Sequence, residues 1–153
     1  MKISVNEQGK LSSIILPEPL TLHNSHGEVF VTLFRKPDFI VAKWHGHITS
    51  EDVIVAATAY TQLISQSPCP KLLNDKSEIT GEWDEANDFL EFDWIPAVVD
   101  AGLLCMAHVY SQNMLSCSSE YELFLRAAPQ LQVANFTDLG MAEKWLAGCE
   151  AIV

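Results

Sequence analysis

Apolar positions along the chain change period in a definite order, and that order predicts the elements. Glu28-Val29-Phe30-Val31-Thr32-Leu33-Phe34 is rich in β-branched and aromatic side chains, which suit a pleated surface. Phe39-Ile40-Val41-Ala42-Lys43-Trp44 repeats the signal, with Lys36-Pro37-Asp38 as a turn between them, so the pair predicts an antiparallel hairpin. Thr49-Ser50-Glu51-Asp52 then matches a capping box, and Val53, Ala56, Ala57, Tyr60, Leu63 and Ile64 follow at helical spacing. Pro68-Cys69-Pro70 ends that helix, and Lys71-Leu72-Leu73-Asn74-Asp75 reads as a short strand.

Beyond Gly81 the pattern is acidic and helical, with Trp83, Ala86, Phe89 and Leu90 on one side. Pro96 should kink or restart this helix, and Gly102 suits its C-terminal cap. Leu103–Tyr110 is nearly all apolar, as expected for a strand covered on both faces. Ser119-Glu120-Tyr121-Glu122 opens another helix that Pro129 closes, Gln132–Phe136 forms a last strand, and Asp138 caps a final helix carrying Leu139, Ala142, Leu146 and Cys149. Residues 2–26 read as a short hairpin about Asn6-Glu7-Gln8-Gly9, halted by Pro17-Glu18-Pro19 and followed by loop chemistry at residues 23–27.

The order β-β-α-β-α-β-α-β-α predicts a single α/β domain. Its sheet should be mixed, with an N-terminal antiparallel hairpin, parallel pairing after it, and four helices. Residues 1–27 form an N-terminal extension and residues 28–153 the domain. Leu104, Met106, Phe136, Ala142 and Leu146 are expected in the core.

Composition narrows the function classes. At 153 residues, 48% hydrophobic and 19% charged, the chain can build one core. Twenty acidic against nine basic residues give a net charge of -11, which opposes approach to nucleic acid or an anionic membrane. The longest charge-free apolar stretch, 101–110, is about half a bilayer span, so no membrane insertion is expected. The first residues lack a signal-peptide core, which points to the cytoplasm. Cys69, Cys105, Cys117 and Cys149 form no C-x-x-C pair, so they read as free thiols, with Cys105 and Cys149 as core filler.

Several runs, taken in order, resemble the SpoIIAA-like branch of the STAS proteins, whose founding members are bacterial anti-anti-sigma factors. Val41-Ala42-Lys43-Trp44-His45-Gly46 resembles its second strand, Leu72-Leu73-Asn74-Asp75 its third, and Ala107-His108-Val109-Tyr110 the next. Phe136-Thr137-Asp138-Leu139-Gly140-Met141-Ala142-Glu143-Lys144-Trp145-Leu146 is similar to its closing strand and helix. The resemblance covers residues 28–148 and implies a SpoIIAA-like fold and a non-enzymatic regulatory or protein-interaction role. It also implies a phosphorylation switch just after the third strand. Ser77 is the nearest counterpart and Thr80 the second, in Asp75-Lys76-Ser77-Glu78-Ile79-Thr80-Gly81, which lacks the family's double serine and adjoining glycine. Glu78, Glu82, Asp84 and Glu85 would repel a phosphate, and turn or cap hydrogen bonds are the alternative role for both hydroxyls.

Ligands in open α/β sheets collect beyond the carboxyl ends of the strands. Asp75, Ser77, Thr80, Trp83 and Tyr110, with Ser111, should lie near that edge as a ligand or partner crevice. Nine carboxylates lie between Asp75 and Asp100 with one lysine among them. They form either a solvated helix face or a docking face for a partner with a basic surface, with Asp84, Glu85, Asp88 and Glu91 at its centre. Trp83, Phe89, Phe92 and Trp94 are interleaved, and they cannot all share one helical face. His45 and His47 have a spacing that can hold a metal, but without a third histidine nearby they read as a hydrogen-bonded pair flanking a turn. His108 reads as a satisfied core histidine. No catalytic motif stands out and no cofactor is implied, so a non-enzyme is expected. The alternative is a small apolar-ligand binder, since SpoIIAA-like chains share fold features with the lipid-binding CRAL-TRIO domains.

Overall fold

In a computed structural model describing residues 19–81, 83–111 and 131–149, the hairpin forms as its composition requires. Strand β2 (Val29–Arg35) pairs antiparallel with β3 (Ile40–Trp44). Upstream of it, β1 (Leu20–His23) adds an antiparallel edge strand to β2, within the segment that the sequence assigned to an extension. Strands β5 (Lys71–Lys76), β7 (Cys105–Tyr110) and β8 (Gln132–Phe136) follow in parallel, giving a six-stranded mixed sheet in the order β1-β2-β3-β5-β7-β8. Two short strands, β4 (Gly46–His47) and β6 (Ile79–Thr80), pair in parallel beyond the carboxyl ends of β3 and β5. This is the mixed α/β architecture expected from the sequence. The expected helix at 119–129 and hairpin at 2–16 lie outside the described residues.

Helix α1 (Ser50–Gln66) starts at a complete capping box, in which Thr49 accepts from the Asp52 amide and Asp52 accepts from the Thr49 amide. Such a cap is worth about 1 kcal/mol. The helix buries Val53, Ala56, Ala57, Tyr60, Leu63 and Ile64, all six of the residues that the spacing singled out. Each large apolar side chain so buried contributes roughly 1.5–3 kcal/mol.

The acidic segment forms a composite helix over residues 84–100. It opens as a 3-10 turn (Asp84–Ala86), passes through one α-turn (Asn87–Phe89) and a π-turn (Leu90–Trp94), and continues as an α-helix (Ile95–Asp100). Pro96 sits at the start of that last piece, where a missing amide hydrogen costs least, so it restarts the helix. Gly102, at φ +113°, follows its end. A last helix (Leu139–Gly148) is capped by Asp138, whose carboxylate accepts from the Met141 amide.

The helices divide the core between two sheet faces. The front face, under α1 and the composite helix, holds the larger cluster, including Phe30, Leu33, Trp44, Leu72, Trp83, Trp94 and Met106. The back face, under the 139–148 helix, holds Val41, Leu73, Cys105, Ala107, Val109, Ala142 and Leu146. Three expectations about the core change. Leu104 is 39% exposed, because it lies just before β7, where its amide bonds the Pro70 carbonyl and its side chain stays outside the core; Phe136 is only half-buried, on edge strand β8. Cys105 and Cys149 are bonded as a disulfide rather than free, because Cys149 follows the last helix directly over the start of β7. Cys69 is a buried free thiol. Among the described residues, no helix is long and apolar enough to cross a membrane.

Candidate functional site

Strand alternation decides what meets at the carboxyl ends of β3, β5 and β7. In β5, Asn74 and Lys76 face the front, while Leu73 and Asp75 face the back. The five residues expected to share one crevice therefore separate.

On the back, Asp75 is buried and accepts hydrogen bonds from the Ser77 amide at 3.1 Å and the Ser77 hydroxyl at 2.6 Å. Lys43, its neighbour across from β3, lies 3.1 Å from Asp75 and 3.0 Å from the exposed Glu78. Burial alone would raise the Asp75 pKa; the Ser77 hydroxyl and amide and the Lys43 ammonium outweigh it and hold the carboxyl below its ordinary value. Burial would lower the Lys43 pKa, and Glu78 and Asp75 together raise it instead. Ser77 occupies a tight turn between β5 and β6 and not a helix N-terminus, and its hydroxyl is spent on Asp75. A phosphate there would displace that bond and face Asp75 and Glu78. Thr80 is exposed, and its hydroxyl lies 3.1 Å from Nδ1 of His47.

On the front, Trp83 and Tyr110 are fully buried, so they are walls and not the lips of an opening. They meet at Lys76, which was not foreseen as a core residue and is 7% exposed. Its ammonium lies 5.4 Å from the Trp83 ring centre, 5.8 Å from Tyr110 and 5.9 Å from Trp44. Three negative ring faces stabilise a desolvated ammonium by about 0.5–2 kcal/mol each. His108 stacks on Tyr110 at 5.5 Å, and Asn74 accepts from Trp44 Nε1 at 3.1 Å. Burial and then the Lys76 charge drive the His108 pKa well below its ordinary value, so the ring is neutral, and its Nδ1 has no partner. The core placement of His108 was expected, but its hydrogen bonding is incomplete. A cavity of about 40 Å³ lies beside this cluster, lined by Trp44, Tyr60, Asn74, Lys76, Trp94 and His108 among others. That admits water but is too little for an acyl chain, so the apolar-ligand alternative finds no support in it.

His45 lies 3.5 Å from the Thr32 hydroxyl, while His47 meets Thr80, so the two histidines serve different neighbours. No three His, Cys, Asp or Glu side chains among the described residues are placed to hold a metal ion.

The composite helix presents a different surface. Trp83, Leu90 and Trp94 are buried, Phe89 is half-buried, and Phe92 is 67% exposed. Leu90 and Trp94, four residues apart, point inward, where Trp94 Nε1 donates to the Ala57 carbonyl at 3.1 Å, and Phe92, midway between them, points out. Glu85, Asp88 and Asp93 are exposed beside it and Glu91 is half-buried; the Asp84 side chain lies outside the described residues. Alongside runs a groove of about 350 Å³ between α1 and the composite helix, lined by Thr61, Ser65, Phe89, Asp93, Trp94 and Ala97 among others. The sequence showed only that the four aromatics cannot share one helical face; the exposure of Phe92 follows from the burial of Leu90 and Trp94 on either side of it.

No family model matches the chain, and no curated protein matches it. Among solved structures it is similar to a crystal structure of an uncharacterized protein of the DUF3478 family, with a SpoIIAA-like fold, from Shewanella loihica PV-4. The two are 18% identical over 76% of this chain and 91% of that chain, with a TM-score of 0.49.

Proposed function

We propose that this chain is a non-enzymatic protein-interaction module whose docking surface is the composite helix. The observation that carries this reading is Phe92, an aromatic ring 67% exposed on a helix with no lysine or arginine between residues 77 and 100. An aromatic ring left in water is an anchor waiting for a pocket, and a carboxylate rim favours a basic neighbour. The occupant that fits is a basic segment of a partner protein, with Lys or Arg for Glu85, Asp88, Glu91 and Asp93 and an apolar residue to cover Phe92.

The test is equilibrium binding of a synthetic amphipathic peptide with a Lys/Arg face and a Leu/Phe face, followed by fluorescence anisotropy. A peptide of equal charge without apolar residues is the control. The amphipathic peptide should bind more tightly, and Phe92→Ala should weaken it about tenfold or more while leaving the control unchanged. Equal binding of both peptides, or no effect of Phe92→Ala, would remove the support.

A further inference from the structure

Apart from its Asp138 cap and the Trp145 ring against Phe136, the 139–148 helix is lightly seated along its length. It has ten residues, shorter than the length at which an isolated helix holds itself, and contains Gly140 and Gly148. It buries only Ala142 and Leu146 fully, against six residues for α1. Leu139 and Met141, in its first turn, are 44% and 60% exposed. The strand leading into it, β8, is half-buried throughout. Two tethers act at the other end. The Lys71 ammonium donates to the Leu146 and Ala147 carbonyls, and Cys149 is joined to Cys105, 44 residues earlier, at the start of central strand β7.

We propose that the Cys105–Cys149 disulfide is a redox latch that holds the 139–148 helix on the back of the sheet, and that its reduction releases the helix. Cys149 is half-buried and Cys105 is 1% exposed, so an incoming thiolate meets the Cys149 sulfur and Cys105 leaves. Lys71 pairs with Cys105 in register and its ammonium lies at the end of the helix, so a cation stands on the side from which the Cys105 thiolate departs. The co-reactant is a dithiol. Its first sulfur bonds to Cys149 and the Cys105–Cys149 bond breaks. Its second sulfur then displaces Cys149, leaving a cyclic disulfide on the reductant. Two electrons and two protons pass to the protein, giving two thiols. Release bares Val41, Leu73, Ala107 and Val109, all buried under the helix when it is latched.

The experiment compares amide hydrogen exchange of the oxidised protein, the same protein reduced by dithiothreitol, and Cys149→Ala. Oxidation by glutathione disulfide and thiol mass-tagging define the starting state. Exchange over residues 139–148 should rise at least about tenfold on reduction and match that of Cys149→Ala, while α1 keeps its protection. Four results would overturn the latch. They are a pair that cannot be oxidised, a disulfide that dithiothreitol leaves intact, unchanged exchange after reduction, and a rise that spreads equally through α1. The last would make the bond a global staple.

Discussion

Gly81 is the hinge by which the chain leaves β6 for the composite helix, and replacing it with alanine should be costly for a reason that can be measured. Its φ is +122°, and a Cβ built on it would lie 2.1 Å from the carbonyl oxygen of Ile48. Both atoms belong to backbone, so no side chain can swing away. Reaching even the shortest tolerated contact parts β4 and β6 by roughly 0.9 Å, since real Cβ atoms stay beyond about 3.0 Å. The Ile48 amide bonds the Thr80 carbonyl at 2.8 Å, and that separation breaks the bond. A buried amide left unpaired costs about 1–3 kcal/mol and the left-handed backbone another 1–2 kcal/mol. Disturbed packing at Ile48 and Ile79 brings the expected loss to about 3–5 kcal/mol. Gly46 supplies the control. Its φ is +78°, but an added Cβ meets nothing within 4 Å, so Gly46→Ala should cost only the backbone strain, about 1–2 kcal/mol. Urea unfolding of both variants measures the difference, and thermal melting should show a drop of roughly 6–20 °C for Gly81→Ala. Losses within about 1 kcal/mol of each other would refute the steric argument.

Three further outcomes follow from the buried polar groups. His108 stays neutral in the fold while the unfolded chain protonates near pH 6.5, so its stability contribution is full above that pH. Stability should fall by up to about 1.4 kcal/mol per pH unit below it, and a His108→Phe variant should lack that slope in urea titrations from pH 7 to 5. Asp75 has a depressed pKa, so it stabilises above about pH 4 and that contribution is lost as pH falls through the folded value; Asp75→Asn should be less stable at pH 7 by about 1–3 kcal/mol and flatter below pH 4. The Tyr60 hydroxyl is buried without a partner, so Tyr60→Phe should be neutral or stabilising by up to about 1 kcal/mol in thermal melts, and a clear loss would mean that the hydroxyl is satisfied.

The elements that could be read from the sequence are those whose pattern reflects one strong local cause. The β2–β3 hairpin has two β-branched runs about a proline turn. Helix α1 has a cap and a full apolar stripe, and β7 has an uninterrupted apolar run because both of its faces are covered. Strand β1 could not be read, because four residues of an edge strand, Leu20-Thr21-Leu22-His23, owe their order to pairing with β2 and follow a proline. The disulfide joins residues 44 apart, a distance closed only by the parallel crossover. The strand-end residues were found but not their grouping. Alternation from Leu72 to Lys76 held the missing signal: it puts Asn74 and Lys76 on one face and Asp75 on the other. Lys76 was nonetheless not singled out as a core residue, because a lysine inside a core is rare unless rings or carboxylates surround it.

The proposed docking role is tested most directly by splitting the binding kinetics of the basic amphipathic peptide. Neutralising Glu85, Asp88 and Asp93 to Gln or Asn should slow association and flatten its dependence on salt, with dissociation little changed. Phe92→Ala should leave association alone and speed dissociation about tenfold. If both variants associate and dissociate as the unaltered protein does, the composite helix is a solvated face and the docking role is wrong.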